Sequence, residues 1–316
     1  MQTTAHIVDL AQGFAAGGIA ALFFKGATLG EQIYGGAQYR EFNDVDILVR
    51  PTQRSAAEAV LAALHFQPIV ADAGFRNAFF GYLRQHNFKH HASRTTVDLH
   101  WGFVGTGPFP IAAERALSSA VQLNLAGAAI AVPSTEAQAL ILAGHGHKEG
   151  WAAFGWVLDF ATFAAANPAL SWDRIAQSAR AQNCLEPVLG AILLVERLFG
   201  FAIDQKLARL AAQHVSLADN AERIIGNLAA LAERKFEDDL MGGFHLCETP
   251  FQRAAMTLSL LTTPTVGDYE ALPLSPRWWW LYRVTRPGRL IARAVLRRPL
   301  RPSALWDDAI APRVIT

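Results

Sequence analysis

Two aspartates one residue apart, Asp44 and Asp46, interrupt the apolar run FNDVDILV at residues 42–49. In an extended strand successive side chains point to opposite faces, so the two carboxylates share one side while Val45, Ile47 and Val49 take the other. Like charges roughly 6 to 7 Å apart repel and resist burial, so such a pair persists where water reaches it or a cation lies between its members. A divalent metal is the simplest such cation. The same spacing also fits a strand end emerging into a polar loop with its acids solvated, so support has to come from elsewhere in the chain.

A third acid stands in TTVDLHW, residues 95–101. By the same alternation Asp98 and His100 share a face and Val97, Leu99 and Trp101 the other. Should the two strands be neighbours, three carboxylates converge. That set suits two Mg2+ ions bridging a nucleoside triphosphate, because hard cations take carboxylate and phosphate oxygens. Two such ions clamp the attacking and leaving oxygens of an in-line displacement. His100, beside Asp98, would orient the acid or touch the nucleotide.

Upstream, Lys25-Gly26 closes the apolar run IAALFF and opens the helical run GATLGEQIY. A helix N-terminus presents unpaired N–H groups to an anion, Gly26 allows a phosphate close to the backbone, and Lys25 or Thr28 could add a donor. An ordinary strand-to-helix corner with a solvated lysine reads the same way. Arg40, four residues before Asp44, could meet a phosphate or pair with an acid, and a structural or solvated loop arginine fits the position equally.

The elements that must position these residues can be read from periodicity. Ala5 to Ala16 is amphipathic at helical spacing, residues 19–24 form a buried strand, and residues 51–64 form a helix with Pro51 in its first turn. From 67 to 103 short β-type runs, FFGYLR, NFKHHA and TTVDLHWGF, alternate with polar turns. Past Pro133 nearly every segment has helical period and the loops are short. The expectation is an α+β chain: a small α/β domain with a mixed sheet over 1–132, a mostly helical domain over 133–276, and an Arg/Trp-rich C-terminal segment over 277–316.

Taken together, KGATLGEQIY, an arginine, DVDILV and a later VDLHW resemble the nucleotidyltransferases of the DNA polymerase β superfamily, closest to a group of unassigned substrate, over about residues 19–101. The resemblance implies a polymerase-β-like domain followed by a helical one. It places Gly26 at the triphosphate turn, Asp44 and Asp46 as the metal pair, and Asp98 as the third carboxylate. Lys25, Thr28, Arg40 and His100 join Gly26 as candidate nucleotide contacts. The expected reaction is Mg2+-dependent transfer of a nucleoside monophosphate to a hydroxyl or other nucleophile of a small-molecule, peptide or protein acceptor, with pyrophosphate release. The alternative is an inactive module of the same fold that binds a nucleotide or a protein. One departure matters: Ala27 follows Gly26 where the superfamily has serine or glycine, so a phosphate-contacting hydroxyl would have to come from Thr28.

Composition narrows the remaining classes. With 316 residues, 52% hydrophobic, the chain has ample core, and its net charge of +1 selects no polyanionic partner. Eight arginines and no acid lie in 277–302, leaving the rest net acidic, which disfavours a nucleic-acid template. That segment, with its tryptophans, has the profile for an anionic membrane surface or an acidic partner, or for packing on the helical domain. Cys184 and Cys247 are unpaired in spacing, so a reducing cytosol is expected, and the N-terminus lacks the pattern of a signal peptide. LEPVLGAILLVERLFGFAI carries Glu186, Glu196 and Arg197, marking a core helix rather than a span. His86, His90, His91 and His100 crowd one region, but His91 faces away from His86 and His90 and no cysteine joins them, so zinc is not expected. His145, His147 and Asp159 interrupt apolar helices; the resemblance implies that His145 and Asp159 face a cleft between domains, and the alternative is a buried hydrogen-bonded pair joining two helices.

Overall fold

A computed structural model of the chain describes residues 2–40, 42, 44–70, 72–77, 84–103, 108–230 and 249–295. The β-type run expected at 79–84, Cys247 and the chain beyond Val295 fall wholly or almost wholly outside those residues. Two compact units divide the chain. One takes in Met1–Gly105, Ala120–Val132 and the residues from Thr257 on; the other takes in Thr106–Ser119 and Pro133–Met256.

In the first unit α1 (Gln2–Ala16) leads to β1 (Ala21–Phe24), α2 (Gly26–Tyr34), β2 (Asp44–Val49), α3 (Arg54–Ala63), β3 (Phe66–Pro68), β4 (Gln85–His90) and β5 (Thr96–His100). The strands form one mixed sheet in the order β1-β2-β5-β4-β3, with β2 and β5 parallel and the other neighbours antiparallel. The fold is therefore α+β with a mixed five-stranded sheet, as the sequence pattern implies.

Alternation decides what each face does. Val45, Ile47, Val49, Val97, Leu99 and Phe23 fall on one face, where they pack with Ile7, Leu10 and Phe14 of α1 and Ala57 and Leu61 of α3. A hairpin of β6 (Val121–Leu125) and β7 (Ala128–Val132) adds Leu125, Ile130 and Val132 to the same core. Each large apolar side chain so buried contributes about 1.5–3 kcal/mol. That stabilisation fixes the register, because a slip of one residue would exchange the apolar set for the acids.

In the second unit follow α4 (Ala113–Ser118), α5 (Thr135–Lys148), α6 (Phe154–Ala166), α7 (Trp172–Ala181), α8 (Glu186–Phe199), α9 (Gln205–Gln213) and α10 (Val215–Ala229). Ser134, Ser171 and Asp204 cap α5, α7 and α9 by accepting backbone N–H groups three residues on. Helix α8 is buried continuously from Pro187 to Val195, which accounts for its apolar run. No helix among the described residues is long and apolar enough to cross a membrane. Helix α11 (Pro250–Thr262) leads back to the first unit, which also holds α12 (Val266–Ala271) and α13 (Tyr282–Val295).

Candidate active site

The polar face of the sheet is built where β2 and β5 run side by side. In their parallel register Asp44 lies opposite Thr96, Asp46 opposite Asp98, and Leu48 opposite His100. Residues directly opposite in a ladder project to the same side, so Asp46 and Asp98 stand next to each other. Asp46, Asp98 and His100 each offer one ligand atom, all within 4.8 Å of one another. Asp44, the first residue of β2, is outside that trio but near enough that its charge raises the Asp98 carboxyl.

Asp46 is 4% exposed, and a carboxylate so buried needs compensation. Its Oδ1 accepts from Lys25 Nζ at 3.2 Å and lies 3.1 Å from His100 Nε2. Phe24, paired with Asp46 across β1 and β2, sets its ring 5.3 Å from that of His100 at a tilt of 58°.

Asp98 is held from the other direction. Asn87 of β4, directly opposite it, donates Nδ2 to Oδ1, and Gln85 Nε2 donates to Oδ2 at 3.3 Å. Burial, then the charges of Asp44 and Asp46, nonetheless push the Asp98 carboxyl well above the usual carboxylate range. Asp44 rises for the same reasons, burial first and then Asp46, from 3.8 to about 6, although Lys25 and Arg40 pull it back down. Two carboxyls that hold their protons this tightly mark a place where a divalent cation would be welcome, since it stabilises the ionised forms.

Beside the acids, the corner between β1 and α2 has an unusual backbone. Lys25 adopts φ 60° and ψ −151°, a conformation almost confined to glycine, at a cost of about 1–3 kcal/mol. Thr28 Oγ1 and the Leu29 N–H both donate to the Lys25 carbonyl, at 2.8 and 3.0 Å, and hold the corner in place. Gly26 is also left-handed, at φ +44°, and a Cβ there would come within 3.3 Å of the Asp44 carbonyl oxygen. Glycine thus lets the start of α2 lie directly against the start of β2. No side chain caps α2, so its first-turn N–H groups keep the anion-binding capacity of a helix N-terminus.

The sequence-expected residues thus fall as follows. Asp46, Asp98 and His100 meet; Asp44, Lys25 and Arg40 lie within electrostatic reach; Gly26 forms the corner. The Thr28 hydroxyl is engaged with the backbone of that corner. Gln85 and Asn87 were not singled out from sequence, although alternation in QHNFKH sets both on one side of β4, opposite His86 and Phe88. Glu58 of α3 lies 3.2 Å from the buried His86. His90 and His91 instead cluster with His6 and His65, with ring centroids from 4.5 to 6.5 Å apart. In the second unit His147 and Asp159 are buried, and the His145 ring stands 5.2 Å from that of Trp156.

No curated protein matches this chain. Among solved structures, the antibiotic-resistance factor ANT(2'')-Ia, described as showing substrate-regulated conformation dynamics, is similar at 11% identity and a TM-score of 0.41. That likeness covers 57% of this chain and 90% of the other. The family described as uncharacterised nucleotidyltransferases matches residues 1–200, a span that contains every residue of the acid face. By that match the chain belongs to this nucleotidyltransferase family.

Proposed function

We propose that the protein is a Mg2+-dependent nucleotidyltransferase acting on a small-molecule, peptide or protein acceptor. A hydroxyl or other nucleophile of the acceptor attacks the α-phosphorus of a nucleoside triphosphate. The bond from that phosphorus to the α–β bridging oxygen breaks, and pyrophosphate leaves. The single observation that carries this reading is the convergence of Asp46, Asp98 and His100 on one polar sheet face, with Asp44 beside them. In this reading Asp44, Asp46 and Asp98 hold two Mg2+ ions, which would neutralise charge on the triphosphate and acidify the acceptor hydroxyl. The oxygen donors suit Mg2+, and His100, already against Asp46, orients that acid as an outer partner.

The chain's own groups supply the rest. Asp98, with its carboxyl held high, is suited to accept the acceptor's proton. The α2 N-terminus and Lys25 receive phosphate oxygens, Gly26 permits their close approach, Thr28 fixes the corner, and Arg40 adds a second cation beside Asp44. The net acidic charge outside 277–302 favours an acceptor other than nucleic acid. Incubating the protein with labelled triphosphates, Mg2+ and candidate acceptors, and following pyrophosphate, tests the reading directly. Release that disappears in Asp46→Asn supports it, and release unaffected by that change refutes it.

A second reading is a non-catalytic module that binds a nucleotide or a protein. It draws support from Lys25, whose ammonium already neutralises Asp46, and from Ala27 in place of a hydroxyl-bearing residue. Calorimetry separates the two: triphosphate binding with no pyrophosphate release across a broad acceptor panel favours the module.

A further inference from the structure

Helix α13 is fixed to the first unit by its polar side. Tyr282, Arg286 and Arg289 recur at positions i, i+4 and i+7. The Tyr282 hydroxyl donates to the Leu272 carbonyl at 2.7 Å, and Arg286 Nε donates to the Leu260 carbonyl at 2.7 Å. Arg286 Nη1 and Arg289 Nε then converge on the two oxygens of Asp268, each at 2.6 Å. Asp268 is 3% exposed; burial opposes its ionisation, but the Thr265 N–H and the two guanidinium groups outweigh that and keep its carboxyl below the usual range.

The opposite side of the helix is apolar and faces solvent. Val284 and Ile291 are 65% and 63% exposed, Pro287 lies between them on the same stripe, and Trp280, 55% exposed, continues it. Surface helices ordinarily show the reverse, with the apolar stripe inward and the charges outward. Arginine flanks the stripe: Arg277 lies 5.8 Å over the Trp278 ring, and Arg283 is exposed next to Val284.

We propose that this face of α13 docks on an anionic lipid surface, with the helix lying in the headgroup plane, Trp280, Val284 and Ile291 entering the acyl boundary, and Arg277 and Arg283 meeting lipid phosphates. Charge complementarity selects the occupant, since residues 277–302 hold no acid and, besides Arg286 and Arg289 on Asp268, six further arginines. Tryptophan beside arginine is the composition that settles at the boundary of headgroup and hydrocarbon. A second copy packed symmetrically on the same face would set like charges against each other. An acidic protein would satisfy the arginines while leaving Val284 and Ile291 against its charges.

The test is sedimentation of the full chain with phosphatidylcholine vesicles, with and without phosphatidylserine. Binding is expected only with phosphatidylserine, weakening as salt rises. Val284→Glu with Ile291→Glu should lower partitioning about tenfold or more, and Arg277→Gln with Arg283→Gln about fivefold per arginine. Both variants change exposed positions, and unchanged circular dichroism and melting temperature establish that they fold. The proposal is overturned by failure to bind phosphatidylserine vesicles, or by a glutamate variant that binds as the parent does. It is equally overturned if soluble polyglutamate competes fully and the glutamate variant still binds it, which assigns the face to an acidic protein. Loss of a dimer in the glutamate variant without any vesicle binding would assign it to self-association.

Discussion

Asp46 lies directly across the parallel β2–β5 ladder from Asp98, and the two carboxylates take their support from opposite directions. Lys25 and His100 hold the first, while Asn87 and Gln85 hold the second. One acid is therefore matched by basic groups and the other by neutral amides. Burial and then the charges of Asp44 and Asp46 hold the Asp98 carboxyl high even though the Asn87 amide pulls it down, which suits it to receiving a proton during transfer.

Replacing Asp46 by Asn keeps the volume and removes the charge that Lys25 and His100 share. Transfer activity should fall on the order of a hundredfold or more, the scale on which metal-centred charge stabilisation acts. The melting temperature should stay within a few degrees, since relief of repulsion with Asp44 and Asp98 offsets the lost ion pair. Pyrophosphate release and a thermal melt on the same sample check both halves.

The raised carboxyls fix a sign for the pH dependence of stability. Asp44 titrates near 3.8 in the unfolded chain and at about 6 in the folded one, so between those values the folded state binds the extra proton. Stability then falls as pH rises through that window, and Asp98 acts in the same direction. Glu58, Asp72 and Asp268 are lowered, so their contributions are lost only on going further acid. His90, lowered chiefly by burial, works in the opposite sense nearer neutrality. Comparison with Asp44→Asn isolates the acid face: without metal the parent should lose on the order of 1–2 kcal/mol relative to the variant between about pH 4.5 and about pH 7. Mg2+ at about ten times its dissociation constant should restore about 1.4 kcal/mol at the upper end to the parent alone.

The acid face was legible because strand alternation is a strict geometric rule. Once 44–49 and 96–100 are strands, Asp44, Asp46, Asp98 and His100 can only lie as they do relative to the apolar core. Which strands are neighbours is a property of topology, and sequence gives it only through resemblance to a family. Gln85 and Asn87 were illegible for that reason, because amides on a strand gain meaning only when an acid is known to lie opposite. The engagement of Asp46 by Lys25 was hidden as well, since it depends on a backbone conformation that no propensity assigns to lysine. The tail was legible only in part: its arginines read as a surface for an anionic membrane or an acidic partner, and nothing in their spacing singled out Arg286, which is 7% exposed and pairs with Asp268.

At Lys25 conformational strain and function oppose each other. Lys25→Gly relieves a backbone strain of about 1–3 kcal/mol, whereas Lys25→Ala removes the same ammonium and keeps the strain. The glycine variant should therefore be the more stable of the two, by about 1–2 kcal/mol after its larger unfolded-state entropy is counted. Both should bind triphosphate more weakly than the parent. Denaturant melts of the pair check the strain, and calorimetry checks the ammonium; equal stabilities would remove the strain from the account.

In the second unit a close fit depends on one glycine. A Cβ at Gly146 of α5 would lie 2.4 Å from the indole of Trp151, which is 1% exposed. Trp151 has little room to yield, since its ring also packs on Phe160 at 6.1 Å. Gly146→Ala should therefore destabilise the protein by about 1–3 kcal/mol, the usual cost of overpacking. Near-ultraviolet circular dichroism of the tryptophans, recorded with the melt, would show whether the loss arises at Trp151.

Asn87 allows positioning to be separated from mere packing. Its amide donates to Asp98 Oδ1 and favours the ionised acid, so Asn87→Leu should raise the Asp98 carboxyl further while keeping the volume. A group needed as a base then becomes available only at higher pH, so the acid limb of the transfer profile should move in the alkaline direction. Mg2+ affinity near neutrality should fall, because more of the site must give up a proton before the ion can bind. Asn87→Asp places a fourth negative charge directly opposite Asp98 and should move the limb further still. A role confined to packing would lower activity equally at every pH and leave the limb where it was.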